Sequence, residues 1–252
     1  MIATTPAYDR IGRSYARHRR PDRRIAARIV AALGDARSVV DVGAGTGSYE
    51  PRDRLVVAVE PSWVMISQRT PDAPPVVRAN AEALPFRDDG FDAAMALLTV
   101  HHWTDFRRGL AEMQRVARRR VVVLTWDREL VADAFWLARD YFPEVREAER
   151  DLATLDEIVA TLGTCTVQAV PIPHDCTDCF FGACWRRPEA YLDPGVRASI
   201  SGLARLDEAT VRPAIERLAA DLASGAWDRR YPHLRALDEI DLGYRLVVST
   251  ST

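Results

Sequence analysis

Short apolar runs rich in β-branched residues recur at 38–42, 55–59, 76–79, 93–98 and 121–125, and between them apolar residues fall three and four apart. Runs of the first kind read as strands buried on both faces and stretches of the second as amphipathic helices. Their alternation predicts an α/β chain with a parallel sheet and helical crossovers. The clearest helix carries Ile25, Ile29, Val30 and Leu33 and ends at Gly34; another starts near Asp105 and carries Phe106, Leu110, Met113 and Val116. After residue 125, Phe135, Trp136, Leu137, Tyr141 and Phe142 predict an aromatic-rich helix stopping near Pro143, mostly as core. Strand signals return at 166–172 and 242–249. The segment between them, 175–237, is too long for a structureless loop, so it reads as a helical cap inserted before the last strand of a single 1–252 domain.

Composition narrows the function classes. The 252 residues carry a formal charge of −2, which supplies no general attraction for phosphate backbones or anionic lipid. Every Lys+Arg residue is an arginine, a mark of base composition more than of chemistry. The first twenty residues are too charged for a signal peptide, and no run approaches a membrane span, so a cytoplasmic protein without membrane contact is expected. Its four cysteines are expected as thiols. Cys176, Cys179 and Cys184 resemble part of a metal knuckle, with His174 nearest as a fourth ligand; that set is incomplete for structural zinc, and no metal is expected.

The chemistry concentrates where the first strand ends, in Asp41-Val42-Gly43-Ala44-Gly45-Thr46-Gly47. In an open α/β sheet ligands bind at this carboxyl edge, and glycines let backbone N–H groups approach them closely. Asp41 precedes the first glycine by two positions, where a dinucleotide fingerprint carries an apolar residue, and it suits a ligand bearing an ammonium group. The second strand ends at Glu60, an acceptor placed for the two hydroxyls of a ribose, and Pro61-Ser62 open a helix. Asn80-Ala81-Glu82-Ala83-Leu84-Pro85-Phe86 follows the third strand, and Gly90-Phe91-Asp92 opens the fourth.

These residues resemble the class I S-adenosylmethionine-dependent methyltransferases, notably the small-molecule group that includes the ubiquinone-biosynthesis and trans-aconitate enzymes. The resemblance covers roughly residues 8–127, with 35–127 as the cofactor-binding core, and implies a Rossmann-like, seven-stranded mixed sheet with helices on both faces. It implies that Asp41, Gly43, Ala44, Gly45 and Gly47 hold the methionine portion of the cofactor and that Glu60, with Pro61, holds the ribose. Met65 would cover the adenine, while Asn80, Ala81, Glu82 and Leu97 complete the site; Asn80 stands where the family usually has Asp. Residues 1–34 would form helices closing over the cofactor, with Tyr15 and Arg20, near Tyr8, meeting its carboxylate. Only residues 43–54 separate the first two strands, and Pro51 lies among them, so the helix expected after the glycine loop must be very short.

The fourth strand runs into His101-His102-Trp103, similar to the family's His-Trp motif beside the reactive methyl. Either histidine could take a proton from a hydroxyl acceptor, although methyl transfer depends mainly on alignment and a base is optional. Trp103, Trp126, Asp127 and the cap residue Trp185 are candidate substrate contacts. The leading expectation is methyl transfer from S-adenosylmethionine, leaving S-adenosylhomocysteine, to an O, N or C atom of a small molecule. The alternatives are an RNA or protein methyltransferase and a non-catalytic S-adenosylmethionine-binding protein. No Asn/Asp-Pro-Pro-aromatic motif follows the fourth strand, and the chain is not basic, which argues against nucleic acid. Oligomeric state has no signature in these motifs.

Overall fold

The computed structural model describes residues 18–250. The alternating pattern becomes α1 (Arg23–Leu33), β1 (Ser38–Val42), β2 (Leu55–Val59), α2 (Trp63–Ile66), β3 (Val76–Val77), β4 (Phe91–Leu97), α3 (Phe106–Val116) and β5 (Ala117–Trp126). The Asp22 and Asp105 carboxylates cap α1 and α3 by accepting N–H bonds from Arg24 and Arg108, and Gly34 closes α1 at φ 56°. Their apolar stripes are the expected ones: Ile25, Ile29 and Leu33 on one helix, Leu110, Met113 and Val116 on the other, all buried.

The main sheet has seven strands in the order β3-β2-β1-β4-β5-β9-β6, where β6 is Cys165–Ala169 and β9 is Tyr244–Thr250. Strands β1 to β5 pair in parallel, whereas β9 runs antiparallel to both β5 and β6. The mixed seven-stranded architecture is thus the one the sequence implies. The strand order reverses between β1 and β4, which opens a crevice beside the glycine loop.

Three expectations need correction. The crossover between β1 and β2 contains no helix at all; its twelve residues are consumed by turns that bury Tyr49 and bring Glu50 under the loop. The aromatic helix is broken: Arg128–Ala134 forms α4, Phe135 is extended, and a π-helical turn follows at Leu137–Tyr141. Phe135, Trp136, Leu137 and Ala138 are all buried, and one continuous amphipathic helix cannot turn four successive residues inward, so the break rotates them toward a shared core. The run at 166–172 divides between β6 and a short β7 (Ile172–Pro173), which pairs with β8 (Glu239–Ile240) at the base of the inserted segment.

Within 175–237 the longest helix is Glu208–Ala223. Trp185, Tyr191, Trp227 and Tyr231 from this segment join Trp136 and one face of the sheet in a continuous apolar cluster, so the segment shares the sheet's core. Among the described residues, no helix is long and apolar enough to cross a membrane, and no cluster of three or more potential metal ligands occurs.

Candidate active site

A cavity of about 380 Å³ opens at the carboxyl ends of β1, β2 and β4. Its floor is the glycine loop. Gly43 and Ala44 donate their N–H groups to the Val59 carbonyl at 2.8 and 3.0 Å, extending the pairing with β2 past the end of β1. Gly43, with φ 76°, is obligatory: a Cβ there would lie 2.2 Å from Thr99 Oγ1 on the segment leaving β4. Gly43→Ala is therefore expected to lower stability by about 1–3 kcal/mol, the cost of overpacking, and to shrink the cavity. Parallel thermal melts and ligand calorimetry on wild type and variant check both effects. Gly47 has positive φ and closes the turn by donating to the Ala44 carbonyl, but it does not line the cavity.

Glu60 ties the loop to the next element. Its Oε2 accepts the Gly45 N–H and its Oε1 the Ser62 N–H, both at 2.8 Å, while the carboxylate faces the cavity. Ser62 caps α2 by accepting the Met65 N–H, so Pro61 sits just before the helix and outside its first turn. The cap holds Met65, which is 1 % exposed, against the cavity below Gly45. Asn80, Ala81, Glu82 and Leu97 complete the wall. Glu82 also accepts the Thr104 and Asp105 N–H groups, fixing the chain between the His-Trp motif and α3.

The electrostatics centre on Asp41. Its carboxylate is 2 % exposed, lines the cavity and accepts no hydrogen bond from any described residue. Burial pushes its pKa well above the carboxylate range; Glu50 and Glu60 push the same way, and the Arg69 guanidinium opposes them. Arg69 and Glu50 form a 2.7 Å ion pair beneath the loop, each side chain 4 % exposed, and Arg69 Nη1 also reaches the Gly45 carbonyl at 3.4 Å.

Arg19 of the N-terminal segment lines the opposite side, held by a residue of the 175–237 segment. Tyr15 and Tyr8 lie outside the described residues. Arg20, the expected carboxylate partner, is exposed and away from the cavity; the adjacent Arg19 is buried and lines it. Arg19 pairs with Asp178 in an isolated β-bridge and donates from Nε to its Oδ1 at 2.5 Å, while Tyr49 donates its hydroxyl to Oδ2 at 3.0 Å. Two neighbouring arginines are indistinguishable by composition, and the bridge to a residue 159 positions away decides which one turns inward.

The histidines divide their roles. His102 and Trp103 line the cavity, whereas His101 packs behind, its ring 3.7 Å from that of His102 and 4.5 Å from that of Trp126. Arg205 Nη2 lies 3.0 Å from His102 Nδ1; a guanidinium only donates, so Nδ1 is the accepting nitrogen. Burial first, and then the Arg205 charge, hold His102 at about 3, and burial with the neighbouring His102 holds His101 well below its ordinary value. Both rings are therefore neutral at physiological pH.

Two expected substrate contacts lie elsewhere. Trp185 is fully buried in the core and donates Nε1–H to the Ile172 carbonyl at 2.9 Å. Asp127 is the N-cap of α4, its carboxylate occupied by the Glu129 and Leu130 N–H groups. Sequence reasoning also missed Ser48, Tyr49, Leu98 and Thr99 in the cavity wall. Tyr49 and Leu98 have left-handed backbone, φ 67° and 54°, strain of the kind that gathers at binding sites and that no local residue pattern announces.

A family model described as a methyltransferase domain matches residues 40–125, the span holding every strand and loop of the cavity floor. A solved structure of a candidate methyltransferase from an antibiotic biosynthesis pathway of Anabaena variabilis is 36% identical; the match covers 93% of this chain and 99% of that one, with a TM-score of 0.86. Malonyl-acyl-carrier-protein O-methyltransferase of Pseudescherichia vulneris is 34% identical over 124 residues, 46% of this chain and 49% of the relative. The ubiquinone/menaquinone biosynthesis C-methyltransferase UbiE of Hahella chejuensis is 33% identical over 96 residues, 32% of this chain and 39% of the relative. The chain thus spans about half the length or less of these curated relatives.

Proposed function

Because this chain belongs to the class I S-adenosylmethionine-dependent methyltransferases, we propose that it transfers the methyl group of S-adenosylmethionine to a small-molecule acceptor. The observation that carries the reading is the buried Asp41 carboxylate, which faces the cavity and accepts no hydrogen bond from any described residue. A buried acceptor without a partner is costly, and an ammonium group entering beside the glycine loop would satisfy it.

When bound, S-adenosylmethionine supplies a methyl carbon made electrophilic by its sulfonium sulfur. The residues of the chain do the rest. Asp41 receives the ammonium, and the positive-φ turn at Gly43 and Gly45 lets the backbone come close to the methionine portion. Glu60, fixed by two backbone N–H bonds, presents its carboxylate to the ribose hydroxyls, and Met65 and Asn80 flank the base. Arg19 replaces Arg20 as the cationic residue near the carboxylate end. His102 acts by position: a neutral ring whose Nδ1 faces a guanidinium is a poor proton acceptor and a firm wall. His101 and His102 accordingly align the acceptor, and the rate arises from orientation more than from a general base.

A small-molecule acceptor fits a cavity of about 380 Å³, beside which Arg19 and Asp178 bridge the N-terminal segment to the 175–237 segment. The name of one curated relative, a ubiquinone/menaquinone biosynthesis C-methyltransferase, agrees. Incubation of the protein with methyl-labelled S-adenosylmethionine and a metabolite extract, followed by mass spectrometry, is expected to place label in a small molecule. Label found only in RNA or protein, or none anywhere despite cofactor binding, rejects the assignment.

A further inference from the structure

A second cavity of about 40 Å³ lies beyond the first and shares Arg19 and Leu98 with it. The stacked histidines stand between them, His102 in the wall of the larger and His101 in that of the smaller. Trp126, Phe180, Phe181 and Tyr244 make the smaller one aromatic, and Glu149 is its buried acid, 8 % exposed.

Glu149 is under-satisfied where it stands. Its Oε2 accepts the Trp126 Nε1–H at a long 3.3 Å, and no described residue donates to Oε1. Gly202 leaves that oxygen uncovered, since a Cβ there would sit 3.1 Å from it. The nearby arginines are directed elsewhere: Arg19 to Asp178, Arg205 to His102, and Arg128 to the backbone carbonyls of residues 149, 150 and 152. A buried carboxylate with an open lone pair calls for a donor, and the electron-rich faces of the surrounding rings favour one that carries positive charge. A cavity of about 40 Å³ has room for a small head group.

We infer that this aromatic cavity is the recognition site for the acceptor's head group and that the acceptor bears an amine nitrogen, held by Glu149. The inference rests on the methyltransferase reading and adds the substrate class to it. The remainder of the acceptor extends past Leu98 toward the larger cavity, so Glu149 determines specificity at a distance from the transferred methyl.

Ligand-observed NMR on the full chain saturated with S-adenosylhomocysteine, using propylamine, propanol and propionate as matched probes, tests this. Wild type is expected to bind propylamine at least tenfold more tightly than either other probe. E149Q, equal in shape and uncharged, is expected to lose at least tenfold of that affinity while binding S-adenosylhomocysteine within twofold of wild type. Gly202→Ala, which covers Oε1 and keeps the charge, should also weaken the amine. Propylamine binding no better than propanol, or equally well to wild type and E149Q, overturns the inference. Failure of wild type to bind S-adenosylhomocysteine would instead overturn the methyltransferase reading, and the amine preference is measured separately on the ligand-free chain.

Discussion

Asp41→Asn is expected to weaken S-adenosylmethionine binding by about 100-fold or more, in line with the 2–5 kcal/mol typical of truncating one partner of a buried, hydrogen-bonded charge pair. The same substitution is expected to raise the melting temperature of the ligand-free protein. Both effects have one cause. Without a ligand, Asp41 is a desolvated carboxyl crowded by Glu50 and Glu60, and its folded pKa lies well above the ordinary 3.8. Between 3.8 and that higher value the folded chain holds a proton the unfolded chain has released. The stability this group contributes is therefore fully present below 3.8 and is lost as pH rises through the folded value; above it, the wild type carries the whole penalty. Asparagine has no such dependence, so the stability gain of the variant should grow as pH rises above about 4 and level off only once pH has passed the raised folded value. Melts across that range, paired with calorimetry, check it. Equal cofactor binding by the two proteins would exclude Asp41 from the site.

Arg69→Met is expected to cost about 3–5 kcal/mol, the usual penalty for removing one member of a buried ion pair. At 2–4 °C per kcal/mol for a domain of this size, the melting point should fall by on the order of 10 °C. Glu50 would be left desolvated without its partner, and Asp41 would lose a cation that opposes its raised pKa. The glycine loop should loosen with them, because Arg69 also reaches the Gly45 carbonyl and a Cβ on Gly47 would touch both Glu50 and Arg69. A Glu50→Met/Arg69→Met double variant should recover most of the lost stability, since well-packed apolar side chains replace a buried pair at little cost. A double variant as unstable as the single one would show that the pair does not act as a unit. In an abbreviated crossover without a helix, this ion pair holds the loop from below.

The cavity floor was largely legible in the chain. Asp41, Gly43, Ala44, Gly45, Glu60, Pro61, Met65, Asn80, Ala81, Glu82 and Leu97 all line the cavity, as does His102. Each lies at or just after the end of a strand, and strand ends are visible as the points where apolar runs give way to glycine, acid or amide. Parallel pairing then brings those ends to one edge, so local pattern and topology together suffice.

The opposite wall was not legible, for the same physical reason in each case. Arg19 rather than Arg20 turns inward because of Asp178; Trp185 belongs to the core because Trp136 and Trp227 complete it; His102 Nδ1 is occupied because Arg205 donates to it. Glu50 meets Arg69 only because the crossover folds back without a helix. These partners lie 19 to 159 residues apart, so no short window contains both. The sequence alone determined the strands, the turns and the acid at the end of β1, since each depends on neighbours a few residues away. Tertiary structure decided which charges are paired and which stay open, because desolvation depends on everything packed around a group, and that is set by the whole fold.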